Sequence, residues 1–373
     1  MVGLRQVAKE ANVSITSASR VLNGSKRSRY ISRDMEQRVR EAARKLGYVG
    51  GYHRYALRTG KTDVVGLLVS VTCTQGEVEG LVQLRSTDHY HNCMVGGIEH
   101  AAYQHGYSLL LLAPETKGGT RFTDVVEKPI EGLMCATVTT ERMRDRLVDL
   151  AHEKLELPLV LIHPLVEAPI ATVGSNQAAA ADQVLDHLSG LGHREVLWFG
   201  PDEPVDHFRY RAYAEAGARR GLHLERLILP GQEDLRHQRE NEQTVAQREA
   251  VLSRYLEQAS GCTAIVGWND FFAGSASRLL LRRGLRIPND ISVVGHDNAF
   301  STLAYPKLTS VDFQWSAMAR RATALLFEMI QGGAEKIEAL RGVRELFEPT
   351  LVVRESTGPV PARSPLAGWR AGG

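Results

Sequence analysis

The chain has 373 residues, 43% of them hydrophobic and 24% charged, with a formal net charge of +2, an ordinary balance for a globular protein of two to three folded units. No apolar segment approaches the roughly 20 residues that cross a bilayer, and Arg5, Lys9 and Glu10 precede any apolar run, so neither a membrane span nor a signal peptide is read and a cytoplasmic protein is expected. Residues 1–62 hold 14 Lys and Arg against 4 Asp and Glu, a net of +10, which leaves −8 for the rest; a basic head on a mildly acidic body predicts that the head meets a polyanion.

The first elements are short helices. In LRQVAKEANVSITSASRVLNG (4–24), Leu4, Val7, Ala8 and Ala11 repeat at helical spacing and predict one buried stripe. Asn12 suits a tight turn, and Ser14 can cap a second helix by accepting a backbone N–H. On that helix Ala18, Val21 and Leu22 face inward, while Ile15, Thr16, Ser19 and Arg20 point out together. This is a helix-turn-helix, with its second helix suited to a DNA major groove. A basic loop, SKRSRY (25–30), is placed to reach phosphates. Ser32 then caps a third helix that puts Met35, Val39, Ala42, Ala43 and Leu46 on one face and stops at Gly47. Residues 50–62 read as a hinge: glycines flank HRYALR, a helix too short to stand alone in water, which would order on DNA.

From Asp63 the pattern becomes strand–helix alternation. VVGLLVSV (64–71), YSLLLLA (107–113), GLMCATV (132–138), LPLVLIH (157–163), REVLWFG (194–200), CTAIVGW (262–268) and DISVVGHD (290–297) are short apolar runs between amphipathic helices. The fold class expected is α/β: parallel sheets with helices on both faces, in more units than one open sheet takes, hence two lobes. Ligands in such folds bind at the carboxyl ends of strands, here in the cleft between lobes. The four cysteines (Cys73, Cys93, Cys135, Cys262) have no metal-type spacing and read as small core residues.

VAKEANVSITSASRVLNG, LGY with ALRTGKT, GHREVLWFG, WNDFFAG, and GLRIPNDISVVGHDN followed by PKLTSV together resemble the lactose/galactose-repressor (LacI/GalR) family of bacterial transcription regulators, over residues 2 to about 355. The resemblance implies a three-helix helix-turn-helix head (1–49), a hinge (50–62) and a two-lobed, periplasmic-binding-protein-like sensor (63–357). Its first lobe would span about 63–172 plus 301–330 and its second about 173–300 plus 331–357, ahead of a disordered tail (358–373). It implies a homodimeric repressor on a pseudo-palindromic double-stranded operator, controlled by a small molecule, most simply a sugar or sugar derivative, with a purine-like ligand also open. Ile15, Thr16 and Arg20 match the family's base readers, with Arg20 suited to guanine O6 and N7. Ser17, Ser19 and Asn23 match its phosphate-contacting and positioning residues, and Leu57 the leucine that enters the minor groove. The hinge departs from the family pattern: Gly50–Gly51 stand where Pro-Asn is usual, and Tyr55 replaces an arginine.

For the effector, the resemblance carries Tyr90, His91 and His163 to the first lobe, His163 standing where an aspartate is frequent. It carries Arg209, Asn269, Asp297 and Phe313 to the second lobe and the connection beyond it. Asn269 would face the ligand, whereas Asp270 would face it or cap the following helix. A guanidinium and a carboxylate both bind vicinal hydroxyls, and aromatic faces cover the apolar side of a ring. Nothing matches an enzyme: there is no G-x-S-x-G elbow, P-loop, HExxH or metal-spaced cluster, so no catalysis, cofactor or metal is expected. A transport-type binding protein of the same two-lobed fold is the alternative; the +10 head and the lack of a signal peptide argue against it. No heptad-like helix follows residue 357, which favours a dimer over a tetramer.

Overall fold

A computed structural model describes residues 3–22, 31–48, 61–68, 89–112, 130–136, 141–153, 157–164, 168–201, 204–229, 242–258 and 261–362. The chain divides into two units, Met1–Thr62 and Asp63–Gly373. In the first, α1 (Leu4–Glu10), α2 (Ile15–Leu22) and α3 (Arg33–Lys45) share one small core of Val7, Ala8, Ala11, Ala18, Val21, Val39, Ala42 and Ala43. Asn12 makes the turn after α1 in the left-handed region at φ 50°, where asparagine is tolerated better than most residues. Ser14 caps α2 by accepting the Ser17 amide at 3.0 Å, and Ser32 caps α3 by accepting that of Met35 at 3.3 Å. Asp34 and Glu36 in the first turn of α3, with Arg44 and Lys45 in its last, complement the helix dipole.

Among the described residues, the second unit holds two six-stranded sheets. The first contains β1 (Val64–Leu68), β2 (Ser108–Leu112), β3 (Gly132–Ala136), β4 (Leu159–Ile162), β5 (Ala171–Ser175) and β11 (Arg344–Phe347) in the order β11-β5-β4-β3-β1-β2, all parallel. The second contains β6 (Glu195–Pro201), β7 (His223–Leu229), β8 (Ala264–Gly267), β9 (Ser292–His296), β10 (Thr309–Asp312) and β12 (Thr350–Val352) in the order β12-β10-β9-β8-β6-β7. Only β12 runs antiparallel there. Among the described residues, the helices of this unit are α4 (His89–Gln104), α5 (Glu141–Glu153), α6 (Gln177–Gly190), α7 (Pro204–Arg220), α8 (Glu242–Gln258), α9 (Asp270–Arg282) and α10 (Trp315–Leu340). Buried runs such as VVGLL, LVLI and SVVGH form the strands because both sheet faces are covered.

Three crossings join the lobes: after β5, after β10, and between β11 and β12. This corrects the expected lobe boundaries. Residues 173–175 end a first-lobe strand, 309–312 form a second-lobe strand paired with β9, and 344–347 return to the first sheet beside β5. Short apolar strands are alike in sequence, so only their pairing assigns them to a sheet. The return is made by α10, which lies on α4 and the first sheet through Met318, Ala319, Ala322, Leu325 and Leu326. The two helices meet at Gly97, where a Cβ would lie 2.9 Å from that of Ala319.

The expected tail also begins too early. Gly358 donates its amide to Ser292 Oγ at 3.1 Å, and Val360 donates to the Leu191 carbonyl at 2.8 Å. Gly192, at φ 93°, makes room for Val360; a Cβ there would sit 2.7 Å from its Cγ1. Residues 358–362 are therefore the closing strap of the second lobe, tied down by backbone bonds that a Pro/Gly-rich composition does not reveal. Residues 363–373 lie outside the described residues.

Candidate functional site

In the first unit, α2 buries Ala18 and Val21 and turns the opposite side outward. Ile15 is 46% exposed, Thr16 and Arg20 are exposed, and Ser17 and Ser19 are partly so. Ile15 and Thr16 thus share the outward side of α2 with Arg20. The Ser17 hydroxyl lies 2.8 Å from that of Ser14, within the helix cap. Lys45 of α3 bridges to Glu10 of α1 at 2.6 Å, on the surface. Asn23, the 25–30 loop and Leu57 lie outside the described residues, as does most of the hinge.

In the second unit the functional candidates gather at the carboxyl ends of strands. His163 follows β4 at φ 48° and is buried. Its Nδ1 lies 3.1 Å from Ser175 Oγ at the end of β5. Gln177, at the start of α6, donates its amide N–H to Ser175 Oγ at 2.7 Å. Arg209 of α7 donates from Nε to Gln177 Oε1 at 3.0 Å and from Nη1 to the Trp268 carbonyl at the end of β8. A buried hydrogen-bonded chain thus runs from the first lobe to the second beside the first crossing: His163, Ser175, Gln177, Arg209, Trp268. Aromatic rings pack around it. The Arg209 guanidinium lies 5.0 Å from the Phe313 ring and 5.6 Å from that of Trp268, and His163 meets Trp315 edge-on at 4.8 Å.

Three expectations are corrected here. Phe313 is completely buried, stacked between His296 and the guanidinium, so it supports Arg209 from below rather than lining the cleft. Asn269, not Asp270, caps α9: its Oδ1 accepts from the amides of Phe271 and Phe272 at 3.0 and 3.1 Å. Asp270 neither caps nor faces the cleft. It is 3% exposed and accepts from the amides of Ala299 and Phe300 and from the Ser310 hydroxyl, so it clamps the loop that follows β9. Asp297, on that loop at φ 85°, lines a separate cavity of about 330 Å³ with Cys93, Asn298, Asp312, Gln314 and Arg320. Trp315 is the shared wall, lining this cavity and touching both His163 and Phe313. Tyr90 and His91 belong to α4, but their side chains lie outside the described ones.

Two family models match the chain. The model "Bacterial regulatory proteins, lacI family" covers residues 3–50, and "Periplasmic binding protein-like domain" covers residues 185–357. An uncharacterized HTH-type transcriptional regulator from the aml 5′ region of Streptomyces limosus is 31% identical over 370 residues, spanning 95% of this chain and 94% of its own. The chain belongs to the lacI family of bacterial regulatory proteins. Among other members, the repressor PurR of Photobacterium profundum is 24% identical over 368 residues, 95% of this chain and 98% of its own. Among solved structures, the fold matches the Lac repressor dimer bound to operator and the anti-inducer ONPF (TM-score 0.74, 21% identity, 96% and 99% covered). It also matches the CelR–cellobiose complex (TM-score 0.63, 24% identity, 95% and 100% covered). Among the described residues, no helix is long and apolar enough to cross a membrane.

Within this lacI-family sensor, sequence reasoning missed the residues that hold Arg209. Gln177 gives no motif signal, since a glutamine opening a helix is usually surface. Ser175 and His296 are equally silent. His296 lies between Tyr213 Oη (2.7 Å from Nε2) and the Gly267 carbonyl (2.8 Å from Nδ1), and the only hint was a polar residue interrupting VVGHD.

Burial, with the Arg209 charge adding to it, pushes His163 down to about 3 and His296 well below its ordinary value. Both are neutral in the folded protein, whereas the unfolded chain protonates them near pH 6.5. Their contribution is therefore intact above about pH 6.5 and is lost as pH falls toward the folded values, at about 1.4 kcal/mol per unit for each. Between pH 7.5 and 5.5 the urea midpoint should drop by the equivalent of about 3 kcal/mol; a flat profile would contradict the two neutral imidazoles.

Proposed function

We propose that the protein is a cytoplasmic, homodimeric repressor that reads a pseudo-palindromic operator and is released from it, or held on it, by a sugar-like effector bound between the lobes. It is a binding protein, not an enzyme. The observation that carries the DNA half is α2, whose exposed Ile15, Thr16 and Arg20 stand on a head with a net charge of +10. Arg20 reads a guanine edge, Thr16 and Ile15 meet neighbouring bases, and Ser17, Ser19 and Asn23 hold phosphates. Leu57 enters the minor groove at the centre of the operator. One such head covers one half-site, so specificity at full strength needs two chains. The transport-type alternative has no use for an exposed reading helix on a basic head.

The effector half rests on the chain from His163 to Trp268. It ties two strand ends of the first lobe to α7 and β8 of the second, so a ligand that contacts Arg209, Asn269 or Asp297 acts on both lobes at once. The family pattern adds Tyr90 and His91 as ligand contacts of the first lobe. The ligand changes operator affinity through its unequal binding to the two lobe arrangements, worth typically ~1–3 kcal/mol. A neighbour in the fold complexed with cellobiose supports a small polar effector.

Selection from a randomised duplex library tests the DNA reading: a two-fold symmetric motif should emerge, bound by one dimer. An asymmetric motif, or none, would sink it. Asp297→Ala tests the cleft. The Asp297 backbone stays tied through its amide to Val311, so the variant should fold and bind operator normally while losing at least tenfold in effector affinity; an unchanged titration would remove Asp297 from the site.

A further inference from the structure

The outward side of α2 is narrow in its chemistry. The helix reads ITSASRVL, with no asparagine or glutamine and no carboxylate. A side-chain amide is the direct reader of adenine, and a carboxylate that of the cytosine amino group; α2 supplies neither. Its cap is engaged locally: Ser14 accepts the Ser17 amide, and the Ser14 and Ser17 hydroxyls lie 2.8 Å apart. At 100° per residue, Ile15 stands at one edge of the outward side and Arg20 at the other, with Ser19 and Thr16 between them.

Ile15 opens the helix, at the end that a helix-turn-helix presents to the base edges. Its side chain is 46% exposed. Being β-branched, it has one strongly preferred χ1 rotamer in a helix, so it is a stiff apolar knob that does not swing aside. It can neither donate nor accept a hydrogen bond. Against a donor or acceptor on a base edge it would displace water without replacing the lost bond. The C5-methyl of thymine is the apolar group that the major groove offers.

We infer that Ile15 makes each operator half-site require a thymine, read through its C5-methyl, within about three base pairs of the guanine that Arg20 reads. The two residues are five positions apart, about 7.5 Å along the helix axis, against about 3.4 Å per base step, and they sit at opposite edges of the outward side. A T·A pair is thus chosen through the methyl, with no hydrogen bond from α2 to the adenine. The inference rests on the regulator reading above and adds the base chemistry that this face of α2 selects.

The test uses the full-length protein and the duplex it selects from the randomised library. Each thymine of the half-site is replaced in turn by deoxyuridine, in both half-sites together, which removes the methyl and leaves pairing and phosphates in place. Burial of one methyl is worth about fourfold in affinity per half-site, so one such replacement should weaken the wild-type dimer about fifteenfold. At that position a 5-methylcytosine·guanine pair should bind tighter than cytosine·guanine. In Ile15→Ala the thymine and deoxyuridine duplexes should bind within about twofold of each other, whereas Thr16→Ser should keep the difference. Ile15 lies outside the core of the head, so Ile15→Ala should retain the wild-type melting temperature and the salt-dependent affinity for unrelated DNA. A selected operator in which no thymine methyl matters overturns the inference, as does a methyl effect that survives Ile15→Ala or disappears in Thr16→Ser; each of these leaves the regulator reading standing. If the wild-type protein selects no symmetric operator, the regulator reading itself fails and this inference falls with it.

Discussion

Arg20→Ala is expected to abolish discrimination between the selected operator and unrelated DNA while leaving most of the salt-dependent, sequence-independent affinity. A bidentate arginine–guanine contact supplies ~1–3 kcal/mol of base discrimination, and a symmetric dimer makes it twice, so about 2–6 kcal/mol is at stake. Non-specific binding comes from neutralising phosphates. Removing one of the 14 cations of the 62-residue head barely changes that sum. Arg20 is exposed, and its neighbours Ala18 and Val21 carry the core packing of α2, so stability should stay within about 0.5 kcal/mol of wild type. Fluorescence anisotropy on operator and scrambled duplexes across a salt series separates the two terms. Equal loss on both duplexes would make Arg20 a phosphate contact instead.

Arg209→Ala is expected to erase the effector response and also to cost stability, a combination that a purely ligand-facing residue would not produce. Truncation leaves two acceptors without their donor, Gln177 Oε1 and the Trp268 carbonyl, and strips a cation from the face of Phe313. Each unsatisfied buried acceptor costs ~1–3 kcal/mol and the lost cation–π contact ~0.5–2 kcal/mol, so a loss of roughly 2.5–8 kcal/mol is expected. Effector affinity should fall about a hundredfold or more, because in the proposed site the guanidinium both donates to the ligand and orients Gln177. Gln177→Ala separates these effects: it should weaken the effector only partly, since the guanidinium keeps its bond to the Trp268 carbonyl. Effector titrations by thermal shift, with chemical unfolding of both variants, provide the comparison. Wild-type stability in Arg209→Ala would mean that the chain from His163 to Trp268 does not link the lobes.

The readable parts of this protein are those in which one local stretch contains the whole reason for its structure. Helical spacing from Leu4 to Leu46, serines at the starts of α2 and α3, and a turn-making Asn12 specify the head, because capping and amphipathic burial act within a few residues. The head's charge is equally local. The strand–helix alternation after Asp63 likewise specifies parallel sheets, since strands buried on both faces must be apolar throughout. Lobe membership did not follow. Strands β10 and β11 are only four residues each, and each is placed by the partner it pairs with, β9 in one case and β5 in the other.

The candidate effector site shows the same division more sharply. Arg209 and Asp297 are singled out as candidates by their motifs, but their surroundings are not. Phe313 is buried beneath the guanidinium, Asn269 rather than Asp270 caps α9, and Gln177 and Ser175 complete a hydrogen-bonded chain that no motif announces. The sequence alone determined a DNA-reading head on a two-lobed sensor, because helix periodicity, caps and net charge are properties of neighbouring residues. Only the tertiary structure decided how the polar atoms around Arg209 are paired. Donor or acceptor character at Gln177, Ser175, His163 and Asn269 depends on what each is already bonded to, and those partners lie in other strands, other helices or the other lobe.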